Sequence, residues 1–271
     1  MSDPLVPIVI VGARGRMGTT LIRSVLESED LALVGAVDRT GAPGIGQDAG
    51  VLVGLPPVDV EVTDHIKARG GTVVVDFSLP TSTERTVERC VALGLPLVLG
   101  TTGLSNRTRE AIEAAAAKIP VVYAANYSMG VTLLTRLAAL AARALGPGWD
   151  AEIVELHHRF KRDAPSGTAL RIARAVADAT GRGEDCIVTD RTGRTTPRGD
   201  REIGVAALRG GASVGEHTVM LLHPDERIEL SHRAYDRSIF ARGALRAARW
   251  IVGRPPGLYD MSDVLGLSTL A

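Results

Sequence analysis

The sequence predicts an α/β fold, a parallel sheet flanked by helices, with an α+β region following it. Three observations predict it. Short apolar runs alternate with helix-length amphipathic stretches from Pro7 to Ala124. A glycine-rich turn joins the first run to the first helix. Beyond Leu145 the pattern shifts to longer runs separated by Gly and Pro turns.

The elements follow in order. Pro7 to Val11 is an apolar strand stopped by Gly12, and Gly18 to Ser28 has helical spacing. Leu31 to Val37 is a second strand, with Asp38 directly after it. Thr72 to Phe77 is a third, followed by a Ser-Leu-Pro-Thr-Ser turn and a helix from Glu84 to Leu93. Pro96 to Leu99, a helix over Asn106 to Lys118, and Pro120 to Ala124 continue the alternation. Strands separated by helices of this length imply right-handed βαβ crossovers and a parallel sheet. A long helix over Val131 to Leu145 comes next. Ile153–Leu156, Ile203–Leu208, Gly215–Leu222 and Arg227–His232 then read as antiparallel strands, with turns at Arg209-Gly-Gly and His223-Pro-Asp. Asp190 to Arg201 is polar and reads as a mobile loop. Phe240 to Val252 is an amphipathic helix expected to return to the first domain, giving a dinucleotide-type domain over 1–128 and 239–271 and a second domain over 129–238.

Composition narrows the function classes. The 31 basic and 31 acidic residues balance, which argues against nonspecific nucleic-acid or membrane binding. The most apolar helix carries Arg136 and Arg143, which a membrane span would not tolerate. No signal-peptide pattern opens the chain, and Cys90 and Cys186 lack metal or disulfide spacing, so a soluble cytoplasmic protein with two reduced, buried thiols is expected.

Gly12-Ala-Arg-Gly15-Arg-Met-Gly18 follows a strand and opens a helix, and Asp38 lies 20 residues beyond Gly18 at a strand end. That context makes the domain Rossmann-type. Gly12 permits the turn, Gly15 lets a pyrophosphate approach the backbone, and Gly18 lets helix and strand pack closely. Asp38 suits the ribose hydroxyls of NAD, whereas Arg39, Arg14 or Arg16 suits a 2′-phosphate, so both NADH and NADPH are expected as cofactors. Gly100-Thr-Thr-Gly103 and Ala124-Ala-Asn-Tyr127 end putative strands, where ligands of open parallel sheets bind.

Glu155-Leu-His-His-Arg-Phe-Lys-Arg-Asp-Ala-Pro-Ser-Gly-Thr168 carries the densest chemistry. Were the strand to continue, His157, Arg159 and Lys161 would share one face, with His158 opposite. Pro165 forces a turn, and Ser166 is placed to cap a helix over Ala169 to Thr180, whose N-terminus can hold an anion. Crowded cations bias His157, His158 and Lys161 toward losing protons. Acid–base work on an acidic substrate follows. A metal site is not expected, because no pair among the histidines has helical i, i+4 spacing with carboxylates nearby.

With these motifs assembled, the chain closely resembles the 4-hydroxy-tetrahydrodipicolinate (dihydrodipicolinate) reductase family of bacterial lysine and diaminopimelate synthesis. The likeness runs nearly end to end. It rests on the glycine loop, Asp76-Phe-Ser78, Gly100-Thr-Thr-Gly103, Ala124-Ala-Asn-Tyr-Ser128, Gly215-Glu-His-Thr218 and Gly257-Leu-Tyr-Asp-Met261. His157-His-Arg-Phe-Lys-Arg-Asp-Ala-Pro-Ser-Gly-Thr-Ala169 matches the family signature at every fixed position. The resemblance implies His157 as proton donor/acceptor, Lys161 as proton donor, and His158, Gly167 and Thr168 as binders of the dicarboxylate. It also implies cofactor contacts at Gly12, Ala13, Arg14, Gly15, Arg16, Met17, Asp38, Arg39, Gly100, Thr101, Thr102, Ala124, Ala125, Asn126 and Tyr127. A homotetramer assembled through the second domain's sheet is implied as well, and domain closure on substrate binding is expected because hydride and proton must arrive from separate domains. Asp38 and Ser78 stand where many members have Glu and Thr. Two competing readings are another two-domain nicotinamide dehydrogenase and a catalytically silent nucleotide-sensing homologue; neither has a need for His157 and Lys161 together with the Pro-Ser-Gly-Thr turn.

Overall fold

The computed structural model describes residues 5–68 and 70–268. Along the chain run β1 (Val6–Val11), α1 (Arg16–Leu26), β2 (Leu31–Val37), α2 (Ala49–Leu52), β3 (Val62–Thr63), β4 (Val73–Asp76), α3 (Pro80–Leu93), β5 (Leu97–Leu99), α4 (Asn106–Ala116) and β6 (Pro120–Tyr123). They are followed by α5 (Met129–Leu145), β7 (Asp150–His157), α6 (Gly167–Ala179), β8 (Ile187–Val188), β9 (Ile203–Arg209), β10 (Gly215–Leu222) and β11 (Arg227–Ala234). Last come α7 (Ser238–Trp250), β12 (Gly257–Tyr259) and α8 (Met261–Val264).

The chain divides into two compact units, Met1–Ser128 with Ser238–Leu265, and Met129–Arg237 with the residues after Leu265. The first unit thus stops short of the chain end, where Gly266 (φ 68°) leads out of α8.

In the first unit seven strands pair in the order β12-β6-β5-β4-β1-β2-β3, every ladder parallel. The central strands are buried on both faces, which is why they read as unbroken Val, Ile and Leu runs. Helix α3 begins at Pro80, four residues before the position expected from periodicity. Proline is tolerated there because a first-turn N–H has no helical partner to lose.

The second unit holds five strands in the order β11-β10-β7-β9-β8. Here the structure corrects the sequence. β10 is antiparallel to β7 and β11, but β7, β9 and β8 run parallel. The chain crosses over through α6 between β7 and β9, so β7 is inserted between β9 and β10 and the Arg209-Gly-Gly turn closes no hairpin. Helices α5 and α6 share a core with the sheet, centred on Ile153, Ile172, Ile203 and Val219.

A second correction concerns the segment after β7. The strand ends at His157, and the chain turns so that the Lys161 amide donates to the His158 carbonyl (3.1 Å). His157, Arg159 and Lys161 therefore do not share a strand face. The loop expected to be mobile is also tied down. Arg198 bonds Asp150 (2.6 Å) and Glu152 (2.9 Å) at the start of β7. Cys90 and Cys186 are free and buried, and burial pushes both thiols up. Among the described residues no helix is long and apolar enough to cross a membrane, and no cluster of three metal-capable side chains occurs.

Candidate functional site

In the first unit the glycine loop lies at the C-terminal end of β1. Gly12 has φ 83°, and a Cβ there would come within 2.9 Å of the Ser78 Cα. At Gly18 a Cβ would sit 2.0 Å from the Gly12 carbonyl oxygen, so only glycine lets α1 start this close to β1. Gly15 precedes α1 in extended conformation, and no side chain caps that helix end. Its first amides thus face outward with the positive end of the helix dipole. This is a cradle for a pyrophosphate.

Asp38 follows β2, and both of its oxygens are held. One accepts the Arg14 amide (2.9 Å) and the other the Arg39 amide (2.8 Å). A groove of about 1080 Å³ runs past this carboxylate, lined by Gly12, Arg14, Gly15, Asp38, Arg39 and Arg85 among others. Its size and its cationic rim suit the adenosine end of a dinucleotide.

The two strand-end motifs lie where expected, at the ends of β5 and β6. A Cβ on Gly100 would strike the Phe77 ring at 2.2 Å. Thr101 is buried and donates to Asp76 (3.4 Å), while Thr102 and Ala125 are exposed. Asn126 accepts the Ser128 amide (2.8 Å). At two of the expected positions the side chain is buried. Ala13 is fully buried, and the Tyr127 hydroxyl lies 3.0 Å from the carbonyls of Leu99 and Val122, its ring 5.3 Å from that of Phe77. Arg16 and Met17 open α1 and do not line the groove.

Asp76 belongs to the Asp76-Phe-Ser78 motif of the family resemblance, with no site role expected of it. It sits wholly buried at the end of β4, accepting from the Ser78 amide (2.7 Å) and Thr101, and burial pushes its carboxyl above the usual range. It ties the loops after β4 and β5 together.

In the second unit β7 alternates inward and outward, which points Glu155 and His157 to the same buried side. The Glu155 carboxyl is completely buried. Burial works to raise its pKa, but hydrogen bonds from Arg209, His157 and Ser166 outweigh that and hold it below the ordinary range. His157 Nδ1 lies 2.5 Å from Glu155 Oε2, within hydrogen-bond distance of the carboxylate. Burial is the main reason His157 titrates low; Lys161 and Arg209 add to it and Glu155 opposes it. The cationic crowding read from sequence is therefore the lesser cause.

His217 meets the His157 ring edge-on, with centroids 5.2 Å apart, and burial pushes it down to about 4. Lys161 pairs with Asp163 (2.8 Å), and hydrogen bonding to Lys161 lowers the Asp163 carboxyl. His158 donates its amide to Ser213 (2.8 Å), and its Nε2 lies 3.4 Å from Arg237. Ser166 caps α6 as expected, accepting the Ala169 amide (3.1 Å), so Gly167 and Thr168 form the first turn.

Sequence reasoning missed Glu155, Arg209 and His217. Glu155 was detectable, since an acid two residues before His157 on an alternating strand must share its face. Arg209 and His217 are 54 and 62 residues beyond Glu155, and no spacing rule reaches that far.

A parallel-sheet unit with a glycine-formed phosphate cradle, and a second unit with a buried acid–base cluster at a helix N-terminus, define a nicotinamide-dependent oxidoreductase. Comparison with known proteins makes the class specific. Residues 6–127 match the family model for dihydrodipicolinate reductase, N-terminus, and residues 130–265 match that for its C-terminus. The chain belongs to the dihydrodipicolinate reductase family. A 4-hydroxy-tetrahydrodipicolinate reductase of Myxococcus xanthus is 50% identical over 266 residues, covering 97% of this chain and 98% of the relative. One from Alkalilimnicola ehrlichii is 51% identical over 263 residues, 96% and 98% of the two chains. Among solved structures, dipicolinate-bound dihydrodipicolinate reductase from Paenisporosarcina sp. TG-14 shares the fold, with a TM-score of 0.76 at 23% identity over 94% of this chain and 97% of that one.

Proposed function

We propose that this chain carries out its family's reaction, reducing 4-hydroxy-tetrahydrodipicolinate with NADH or NADPH to tetrahydrodipicolinate for lysine and diaminopimelate synthesis. The observation that carries the residue assignment is the Glu155–His157 pair beside the capped N-terminus of α6. The first unit holds the cofactor. Gly12, Gly15 and the first turn of α1 receive the pyrophosphate, Asp38 the ribose hydroxyls, and Arg39 or Arg14 a 2′-phosphate where one is present. Gly100 to Thr102 and Ala124 to Asn126 border the nicotinamide end.

The second unit handles the substrate. The ring carboxylates are received by Gly167 and Thr168 at the helix N-terminus and by His158. Loss of the 4-hydroxyl as water leaves an unsaturated dihydrodipicolinate ring, to which a bound nicotinamide would supply a hydride, so that negative charge would build on the adjacent ring atoms. Lys161 Nζ gives the compensating proton, and His157 Nε2 exchanges protons with the same site. Asp163 pairs with Lys161 and orients its side chain.

We further propose a cytoplasmic homotetramer formed through the sheet of the second unit. Support comes from the exposed Leu208 and Ile228 on its strands, and light scattering on the purified protein checks the mass. The activity test is direct. Purified protein supplied with freshly made product of the preceding synthase should oxidise NADH or NADPH, and no turnover with either would sink the assignment.

A further inference from the structure

We infer that Glu155 is a positioning residue that fixes His157 in its Nδ1–H tautomer and at the same time seats the N-terminus of α6, so that one carboxylate aligns the proton-exchanging and carboxylate-holding groups. The inference rests on the proposed roles of His157, Gly167 and Thr168.

The geometry is that of a hub. Oε2 receives His157 Nδ1 (2.5 Å) and one Arg209 nitrogen (2.8 Å), and Oε1 receives the Ser166 amide (2.9 Å) and the other Arg209 nitrogen (2.8 Å). Both Arg209 nitrogens and the Ser166 amide are fixed donors, and a carboxylate can only accept, so His157 Nδ1 is left to donate as the fourth. Arg209 also donates to the Asp163 carbonyl (2.6 Å), which fixes the turn that carries Lys161. Ser166 extends the hub upward. Its amide donates to Glu155, its hydroxyl oxygen accepts the Ala169 amide, and that hydroxyl also lies 3.3 Å from His217 Nε2. The residue before Gly167 is therefore held by three separate contacts, two of them side-chain groups on β7 and β10.

A stability role alone would be satisfied by any group that fills the space. The arrangement is more specific. A neutral imidazole beside an ionised carboxylate keeps its proton on the nitrogen facing the carboxylate, which leaves the opposite nitrogen as the acceptor. An amide in place of the carboxylate has one acceptor and one donor, so either orientation sets its NH2 against one nitrogen of the Arg209 fork, and against the Ser166 amide or the Nδ1–H of His157, which can then shift its proton to Nε2. Glu155→Gln is nearly isosteric and separates shape from proton logic.

The first measurement needs no variant. In wild-type protein the ¹⁵N spectrum of neutral His157 should report the Nδ1–H tautomer; the Nε2–H tautomer overturns the inference, and this result decides the matter if Glu155→Gln fails to fold. In folded Glu155→Gln, kcat should fall roughly tenfold to hundredfold, the size seen when a carboxylate that orients a functional histidine is removed. The His157 limb of the kcat–pH profile should move to lower pH, because the one group that raises its pKa is lost while Lys161, Arg209 and His217 still face it. The Kd for pyridine-2,6-dicarboxylate should rise severalfold as the helix end loosens. A lower kcat with the pH limb and that Kd both unmoved means Glu155 only supports the fold. His157→Gln distinguishes the underlying reading: wild-type kcat there removes His157 from proton exchange, while the tautomer and the Kd still judge Glu155.

Discussion

The two units build binding sites from different materials. In the first, recognition is a matter of backbone: glycines at positions where a Cβ would collide, a helix end without a side-chain cap, and a carboxylate held by main-chain amides. In the second, it is a matter of side chains, with a buried carboxylate, two histidines, an arginine fork and a serine cap bonded into one network. The contrast teaches how each fails. Steric change should harm the first unit and leave chemistry intact, whereas removing a proton or a charge should harm the second with the shape preserved.

The largest expected effect tests the chemical side. Lys161→Ala should lower kcat about a hundredfold or more with cofactor KM within about twofold of wild type; a near-normal rate takes Lys161 out of the acid role. Next comes pH. His217 is pushed from the ordinary 6.5 down to about 4, so the stability of its neutral, buried form is present above about 6.5 and lost as pH falls toward about 4. Denaturant melts should show a loss of up to about 3 kcal/mol from His217 across that window, and His217→Asn should shrink the slope to what His157 and His232, also lowered by burial, leave. A wild-type profile with no slope there means that the histidine is hydrated.

The steric side comes third. Gly12→Ala forces a side chain into φ 83° against Ser78, at a cost of about 1 to 3 kcal/mol, and NADH affinity by fluorescence titration should drop at least about tenfold. kcat at saturating cofactor should stay near wild type; if kcat falls instead, the division between the units breaks. Smallest is Arg39→Ala. It should reduce kcat/KM about tenfold for NADPH and under about twofold for NADH, the scale of one charge-assisted contact at an exposed site. Equal losses with both cofactors would assign Arg39 to the shared part of the nucleotide.

Backbone-built features were the legible ones. The glycine loop, Asp38 at the end of β2 and the parallel order of the first sheet all follow from local pattern and short-range rules. The Ser166 cap followed from Pro165 and a helical pattern beside it. What stayed hidden depends on which strands neighbour one another. The parallel pairing of β7 with β9 sets Arg209 beside His157, and the antiparallel pairing of β7 with β10 sets His217 beside Glu155. Tyr127 and Ala13 show the converse limit. A motif position can be assigned by likeness, yet only packing reveals that its side chain is committed to the interior.

The two amides that grip Asp38 also bear on the thermodynamics of nucleotide capture. A carboxylate on a loose side chain loses rotamer freedom when a ribose docks, and that loss subtracts from affinity. Asp38 has already surrendered that freedom to the chain's own N–H groups, and each of its oxygens keeps a lone pair. Ribose docking at this carboxylate should thus carry a smaller entropic penalty than at a glutamate, whose extra methylene would have to be immobilised on every binding event.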